Sequence, residues 1–155
     1  MKMYGLREQT AYERYDGCLI GRILSQEKGQ YRLICEKGEL PAELSGRLRH
    51  RTQSAADLPA VGDFVQADCC EGDGLAMIRS VLPRKSVFLR RSAGTTHTSQ
   101  VVAANVDTVF LCMSLNQDFN LRRLERYLTV AWDGGARPVV VLTKADLCPD
   151  VASRL

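Results

Sequence analysis

The chain has 155 residues, of which 45% are hydrophobic and 25% are charged, and its formal net charge is +3. This composition is typical of one globular domain or two small ones, and it excludes intrinsic disorder, collagen and a long coiled coil. No apolar run approaches the ~18 residues that a membrane span needs, and the charged N-terminus lacks the apolar core of a secretory signal. We therefore expect a cytoplasmic protein without membrane contact, whose six cysteines are reduced.

The positive charge is confined to the first hundred residues, which carry 15 Lys and Arg against 12 Asp and Glu, whereas residues 101–155 carry six of each. Two stretches of the first part, residues 47–51 and 79–91, are basic without any acidic residue. Phosphate backbones attract such clusters. An exposed strand or loop that needs solvated charge produces the same pattern, so the clusters by themselves leave both interpretations open.

Short β-strands dominate the predicted elements of this first part. Residues 52–60 are polar, contain a proline and predict a mobile loop. Five short strands joined by glycine-containing turns favour a small β-barrel of the OB type. The strands are predicted at residues 15–25, 30–35, 40–48, 64–69 and 75–82.

The pattern changes after a small, polar stretch at residues 92–100, which predicts a linker. Residues 106–115 form an almost continuous apolar run, as in a strand that is buried on both faces. Asn120 is a suitable N-cap for a helix that Gly134-Gly135 ends, and residues 138–142 form a second apolar run. This order predicts a β-α-β unit with two parallel strands and a right-handed crossover.

The tetrapeptide Thr143-Lys144-Ala145-Asp146 follows the second apolar run directly. Ligands of open α/β sheets bind at the carboxyl ends of the strands, and the tetrapeptide resembles the guanine-specificity motif of GTPases, Asn/Thr-Lys-x-Asp. The Asp146 carboxylate can accept two hydrogen bonds from guanine N1–H and N2–H₂, a donor pair that adenine lacks. The Lys144 stem can cover the base plane. The alternative without a nucleotide-binding role is a solvated loop in which Asp146 is a helix N-cap.

Four segments together resemble the RsgA/YjeQ family of circularly permuted GTPases that depend on the small ribosomal subunit. The resemblance covers most of residues 58–148, in matching order and spacing, whereas the region before residue 58 matches mainly in architecture. The segments are LPAVGDFV (58–65), SVLPRKSVFLRR (80–91), QVVAANVDTVFLCMSLNQDFNLRRLERYL (100–128) and PVVVLTKADLC (138–148).

The resemblance implies an OB-fold domain at residues 1–91, a linker at 92–100 and the start of a permuted GTPase domain at 101–155. It implies that the parent protein hydrolyses GTP on the small ribosomal subunit and acts late in the maturation of that subunit. Guanine nucleotide would be bound by Thr143, Lys144 and Asp146. The domain that the family uses to bind rRNA carries Arg47, Arg49, Arg51, Arg84 and Lys85.

Several parts of such a GTPase are missing from the chain. It contains no G-x-x-x-x-G-K-[ST] phosphate loop, no Asp-x-x-Gly and no zinc-ligand cluster. We therefore expect the catalytic residues, the Mg²⁺ site of GTP and GDP, and the family's zinc module to lie beyond Leu155. As the N-terminal part of a longer protein, the chain would be inactive by itself, and its incomplete sheet would be poorly ordered or pack against another chain, with non-physiological self-association as one outcome.

Two alternatives belong to other functional classes. The chain can be a stand-alone OB-fold module that binds RNA without nucleotide chemistry, in which case Tyr31 or Phe64 could stack on a base. A metal or thiol enzyme has little support, because no two cysteines form a CxxC pair. Cys112 and Cys148 fall at or beside strands that are predicted to be buried, where a small apolar residue is the ordinary explanation.

Overall fold

The computed structural model describes residues 18–69, 74–91 and 99–152. The chain forms two compact units, Met1–Asn105 and Val106–Leu155. Predictions for residues 1–17 and 92–98 lie outside the described residues, including the start of the first predicted strand and most of the predicted linker.

The first unit contains a closed five-stranded barrel, which confirms the predicted OB-type fold. Around the barrel the strands follow the order β1-β2-β3-β5-β4, in which β3 and β5 are parallel and the other pairs are antiparallel. Closure leaves the barrel without an unpaired edge strand. The strands are β1 (Leu19–Glu27), β2 (Gln30–Cys35), β3 (Gly38–Leu44), β4 (Phe64–Cys69) and β5 (Ala76–Val81).

Local chemistry explains the first hairpin and the barrel core. Lys28 and Gly29 connect β1 to β2 with φ angles of 47° and 85°, and a two-residue hairpin loop with positive φ at both positions matches the twist of the strands. The barrel interior is filled by alternating apolar residues, and Leu33, Val65 and Ile78 are fully buried in it.

The predicted third strand at residues 40–48 is wrong at its end. The strand stops at Leu44, and residues Gly46–Arg51 form a short helix, α1. Ser45 caps this helix, because its hydroxyl oxygen accepts a hydrogen bond from the Leu48 N–H at 3.2 Å. The predicted mobile loop that follows contains a 3₁₀ turn at Ala55–Asp57.

A hairpin outside the barrel corrects the predicted domain boundary. Strands β6 (Val87–Arg91) and β7 (Ser99–Ala104) pair with each other. The predicted linker at 92–100 therefore follows one strand of this hairpin directly, and its last two residues belong to the other strand. Val101 and Ala104 pack against Ala60 in a second small core of the first unit. The first unit therefore extends to Asn105 rather than ending at residue 91.

The second unit is the predicted β-α-β unit, with β8 (Thr108–Ser114), α2 (Leu121–Asp133) and β9 (Arg137–Thr143). The two strands are parallel over their whole length. As predicted, Asn120 caps α2, since its Oδ1 accepts a hydrogen bond from the Arg123 N–H at 3.0 Å, and Gly134 ends it. The apolar run is typical of a strand buried on both faces, but two strands and one helix cannot cover both faces of a sheet, and Phe110 is 65% exposed in β8.

Candidate functional site

The tetrapeptide 143–146 lies where β9 ends. Thr143 is the last residue of the strand, and Lys144 has a left-handed backbone with φ 57° and ψ 39°. This turn directs the chain into a 3₁₀ turn at Ala145–Leu147. Asp146 lies in this turn with an exposed side chain, and it has no hydrogen bond or ion pair with another described residue. The N-cap of the turn is Lys144, so the alternative prediction that Asp146 is an N-cap is wrong.

Thr143 joins the two strand ends that carry the tetrapeptide. Its carbonyl oxygen accepts a hydrogen bond from the Leu115 N–H at 2.9 Å, and its hydroxyl donates to the carbonyl oxygen of buried Met113 at 3.5 Å. The start of the tetrapeptide is therefore tied to the loop that follows β8.

Asn116 organises the loop after β8. This residue was not included in the predicted site. Its Oδ1 accepts hydrogen bonds from the Ser114 hydroxyl at 2.9 Å and from the Asp118 N–H at 3.0 Å. An asparagine that binds a backbone N–H two residues on is an Asx turn, and a Ser-x-Asn-x-Asp pattern directly after an apolar strand is the signal that indicates it. An open groove of about 550 Å³ lies between residues 115–118 and residues 147–150. It borders the turn that holds Asp146, at the carboxyl ends of the parallel strands.

The predicted RNA-contacting residues divide into two groups. Arg47, Arg49 and Arg51 are exposed on α1, whose first turn carries no acidic residue. They lie on a helix rather than on the strand or loop that the sequence suggested. Helical spacing places Arg47 and Arg51 on one face and Arg49 on the other.

Arg84 has a structural role, which makes its guanidinium unavailable for the predicted RNA contact. Its Nε and Nη2 donate to the two carboxylate oxygens of Asp63 at 2.8 and 2.7 Å. Nη1 and Nη2 also donate to the carbonyl oxygens of Ala56 and Leu58 at 2.7 and 2.8 Å. The Asp63 side chain is fully buried and that of Arg84 is 19% exposed. The guanidinium is therefore committed to a buried ion pair. Lys85 is exposed beside it.

The aromatic and thiol groups discussed in the sequence analysis do not come together in a site within the described part of the barrel. Tyr31 is 2% exposed and Phe64 is 7% exposed, so neither offers a ring face for a base, and burial raises the pKa of the Tyr31 hydroxyl. Burial and a hydrogen bond to Asp68 raise the pKa of the Cys18 thiol, which keeps it protonated and poorly nucleophilic. Cys112 is exposed, contrary to the prediction of a buried position.

Two more findings concern the described part of the chain. None of its helices has the length and apolar character to cross a membrane. It also contains no group of three or more His, Cys, Asp or Glu side chains that could hold a metal ion.

Residues 81–154 match the RsgA GTPase family. A protein of Lactiplantibacillus plantarum, named small ribosomal subunit biogenesis GTPase RsgA 2, is 47% identical over 154 residues, which are 98% of this chain and 43% of that protein. The protein of Opitutus terrae named small ribosomal subunit biogenesis GTPase RsgA is 47% identical over 140 residues, covering 85% of this chain and 38% of that protein. The chain thus spans less than half the length of these relatives.

Two solved structures have the same fold. YjeQ from Thermotoga maritima matches 88% of this chain and 45% of its own, with a TM-score of 0.65 and 23% identity. YloQ, described as a circularly permuted GTPase, matches 92% of this chain and 46% of its own, with a TM-score of 0.65 and 22% identity. The barrel and the β-α-β unit follow one another along the chain as in these two structures. The sequence matches and the fold together show that the chain is similar to the RsgA GTPase family.

Proposed function

We propose that this chain is part of a cytoplasmic GTPase that acts in late maturation of the small ribosomal subunit. In this proposal the barrel binds rRNA, and the end of β9 recognises guanine. The observation that carries the proposal is the position of Asp146. Asp146 is exposed in the 3₁₀ turn that follows a parallel strand, and it is not the cap of that turn. The next residue of the turn, Leu147, lines the open groove.

The chemistry of guanine recognition follows from the three motif residues. The Asp146 carboxylate accepts hydrogen bonds from guanine N1–H and N2–H₂, and adenine would leave the carboxylate without these donors. Lys144 leaves the strand in a left-handed turn, and its aliphatic stem can lie over the base. Thr143 holds the turn by its hydrogen bonds to the end of β8.

The remaining parts of GTP hydrolysis are not supplied by these residues. The chain has no glycine-rich loop that could bind the phosphates, and its described residues contain no ligand group for the Mg²⁺ or zinc that the resemblance implies. We propose that the 155-residue chain alone does not hydrolyse GTP. Phosphoryl transfer depends on positioning and charge stabilisation around the phosphates.

The guanine proposal is tested in a chimera in which this chain replaces the matching part of the Lactiplantibacillus plantarum relative. Asp146→Asn should weaken GTP binding roughly 10- to 100-fold, the cost of an unpaired polar group. It should strengthen XTP binding, because an amide can donate to the 2-oxo group of xanthine. Asp133→Asn is the matched control, since Asp133 is exposed at the end of α2 and does not line the groove. An unchanged preference for GTP over XTP in Asp146→Asn would show that Asp146 does not bind guanine.

The RNA proposal is tested separately on the 155-residue chain. The exposed arginines of α1 support it, because they are clustered on a helix whose first turn has no acidic residue, and clustered cations bind phosphates. Replacing Arg47 and Arg51 together by alanine should weaken binding of single-stranded and duplex RNA and lower the salt dependence of the affinity. RNA binding that survives while Asp146→Asn changes nothing would favour the alternative, an RNA-binding barrel without nucleotide chemistry.

A further inference from the structure

Two grooves of similar size lie on the surface of the first unit, and Tyr31 borders both. The first has a volume of about 590 Å³ and lies between the β1–β2 hairpin and the segment that runs from α1 to the 3₁₀ turn. The second has a volume of about 560 Å³ and lies along β2 and β3. We call them the α1 groove and the β3 groove.

The two grooves differ in charge. The β3 groove is lined by three carboxylates, Glu27, Glu39 and Glu43, and its one arginine, Arg32, is paired with Glu39 at 2.8 Å. The described residues that line the α1 groove include Arg49 and no carboxylate. An anionic ligand is therefore repelled by the β3 groove and attracted by the α1 groove.

The lining of the α1 groove fits a nucleobase. Leu44 and Leu58 are half-buried and provide an apolar surface, whereas Gln53 is exposed and provides an amide that can both donate and accept at a base edge. A volume of this size lies in the range of roughly 300–1,000 Å³ that is usual for sites of small organic ligands. Tyr31 is almost fully buried and contributes little more than its edge.

The cations of α1 continue beyond the groove. Arg49 lines it, whereas Arg47 and Arg51 lie on the other face of the helix. A strand of nucleic acid that crosses α1 would place successive phosphates near these arginines while one base enters the groove. Bases of a duplex are stacked and paired inside the helix, so only an unpaired base can enter.

We propose that the α1 groove is a binding site for one unpaired base of single-stranded RNA, with Arg49 at the adjoining phosphate. This inference rests on the proposed RNA-binding function of the barrel and assigns it a subsite. It distinguishes Arg49, beside the base, from Arg47 and Arg51, which contact only the backbone.

Fluorescence anisotropy with the 155-residue chain and two labelled RNAs, a 12-nucleotide single strand and a fully paired hairpin, tests the proposal. Gln53→Glu should weaken binding of the single strand about fivefold, as expected for about 1 kcal/mol between two like charges 4 Å apart in water. Gln30→Glu is the matched control, because it makes the same change at an exposed residue of the β3 groove. Arg49→Ala should lower the salt slope for the single strand by about 0.7, and Arg32→Ala should leave it unchanged.

The outcomes separate the subsite from the general RNA-binding proposal. Equal effects of Gln53→Glu and Gln30→Glu, with binding still reduced by the Arg47/Arg51 double variant, would overturn the subsite alone. Equal loss of hairpin and single-strand binding in Gln53→Glu would also overturn it. If the wild-type chain binds neither RNA, both proposals are overturned. If polyglutamate displaces the labelled single strand as well as the unlabelled single strand does, the groove would be assigned to an acidic protein instead. Circular dichroism melts of each variant verify that the barrel remains folded.

Discussion

The buried ion pair between Asp63 and Arg84 gives the sharpest test of how the first unit is held together. Replacing Arg84 by methionine keeps most of the aliphatic volume but removes every donor of the guanidinium. The Asp63 carboxylate, which is fully buried, would keep one hydrogen bond among those described, from the Ala60 N–H at 2.8 Å. The carbonyl oxygens of Ala56 and Leu58 would lose the donors that the arginine provides.

The expected cost follows from this burial. Removing one partner of a buried ion pair destabilises a protein by about 3–5 kcal/mol, because the other charge remains buried without compensation. Since the Arg84 side chain is 19% exposed, we expect a value near the lower end, about 3 kcal/mol. Arg32→Met is the matched control. The Arg32–Glu39 pair has side chains that are 64% and 51% exposed, and its loss should cost less than about 1 kcal/mol.

Hydrogen–deuterium exchange of peptides from β1 and β4 is the suitable assay. The single tryptophan, Trp132, lies in the second unit, so its fluorescence would not report on the barrel. In Arg84→Met the free energy of exchange protection in both strands should fall by the whole expected loss of stability. The double variant Arg84→Met/Asp63→Asn should recover part of that protection, because the buried charge is then gone. An Arg84→Met variant no less stable than Arg32→Met would refute this account of the ion pair.

Two further predictions concern the same unit. Gly62 has a φ of 89°, and a Cβ there would lie 2.1 Å from the Ala104 carbonyl oxygen. Because of backbone strain and displacement of β7, Gly62→Ala should lower the free energy of unfolding by at least about 2 kcal/mol. Urea unfolding followed by circular dichroism measures this loss. Burial raises the pKa of Tyr31, so its contribution to stability is complete below its ordinary pKa of about 10 and is lost as the pH rises through the raised value. Tyr31→Phe should therefore lose less stability than the wild-type chain between pH 9 and 11, and equal losses in urea titrations would contradict this.

The sequence determined the features that depend on neighbours along the chain. Asn120 and Gly134 bound α2 because capping involves backbone groups within a few residues of the cap. The apolar runs on either side of that helix sufficed to predict parallel strands, since the crossover has one favourable hand. The tetrapeptide 143–146 could be placed at a strand end because it directly follows the second apolar run. The left-handed backbone conformation of Lys144 could not be predicted.

The features that the sequence did not determine depend on residues far apart in the chain. The first half of helix α1 was predicted as the end of a strand, because the six residues of the helix carry no apolar repeat. A six-residue helix gains its stability from a cap and from the packing of Leu48 on the barrel. The hairpin β6–β7 was missed because its polar connection resembles a linker, and its pairing becomes favourable where Val101 packs on Ala60.

Arg84 shows the same limit for the candidate site. In the sequence it belongs to a basic cluster and resembles an RNA contact, whereas in the structure it pairs with Asp63, 21 residues away. The charge surplus of the first hundred residues therefore indicated which unit to consider for phosphate binding, but not which of its arginines are available for it. That depends on burial, because a cation beside a buried carboxylate is held by an interaction much stronger than a solvated phosphate offers, and burial is decided by the tertiary structure alone.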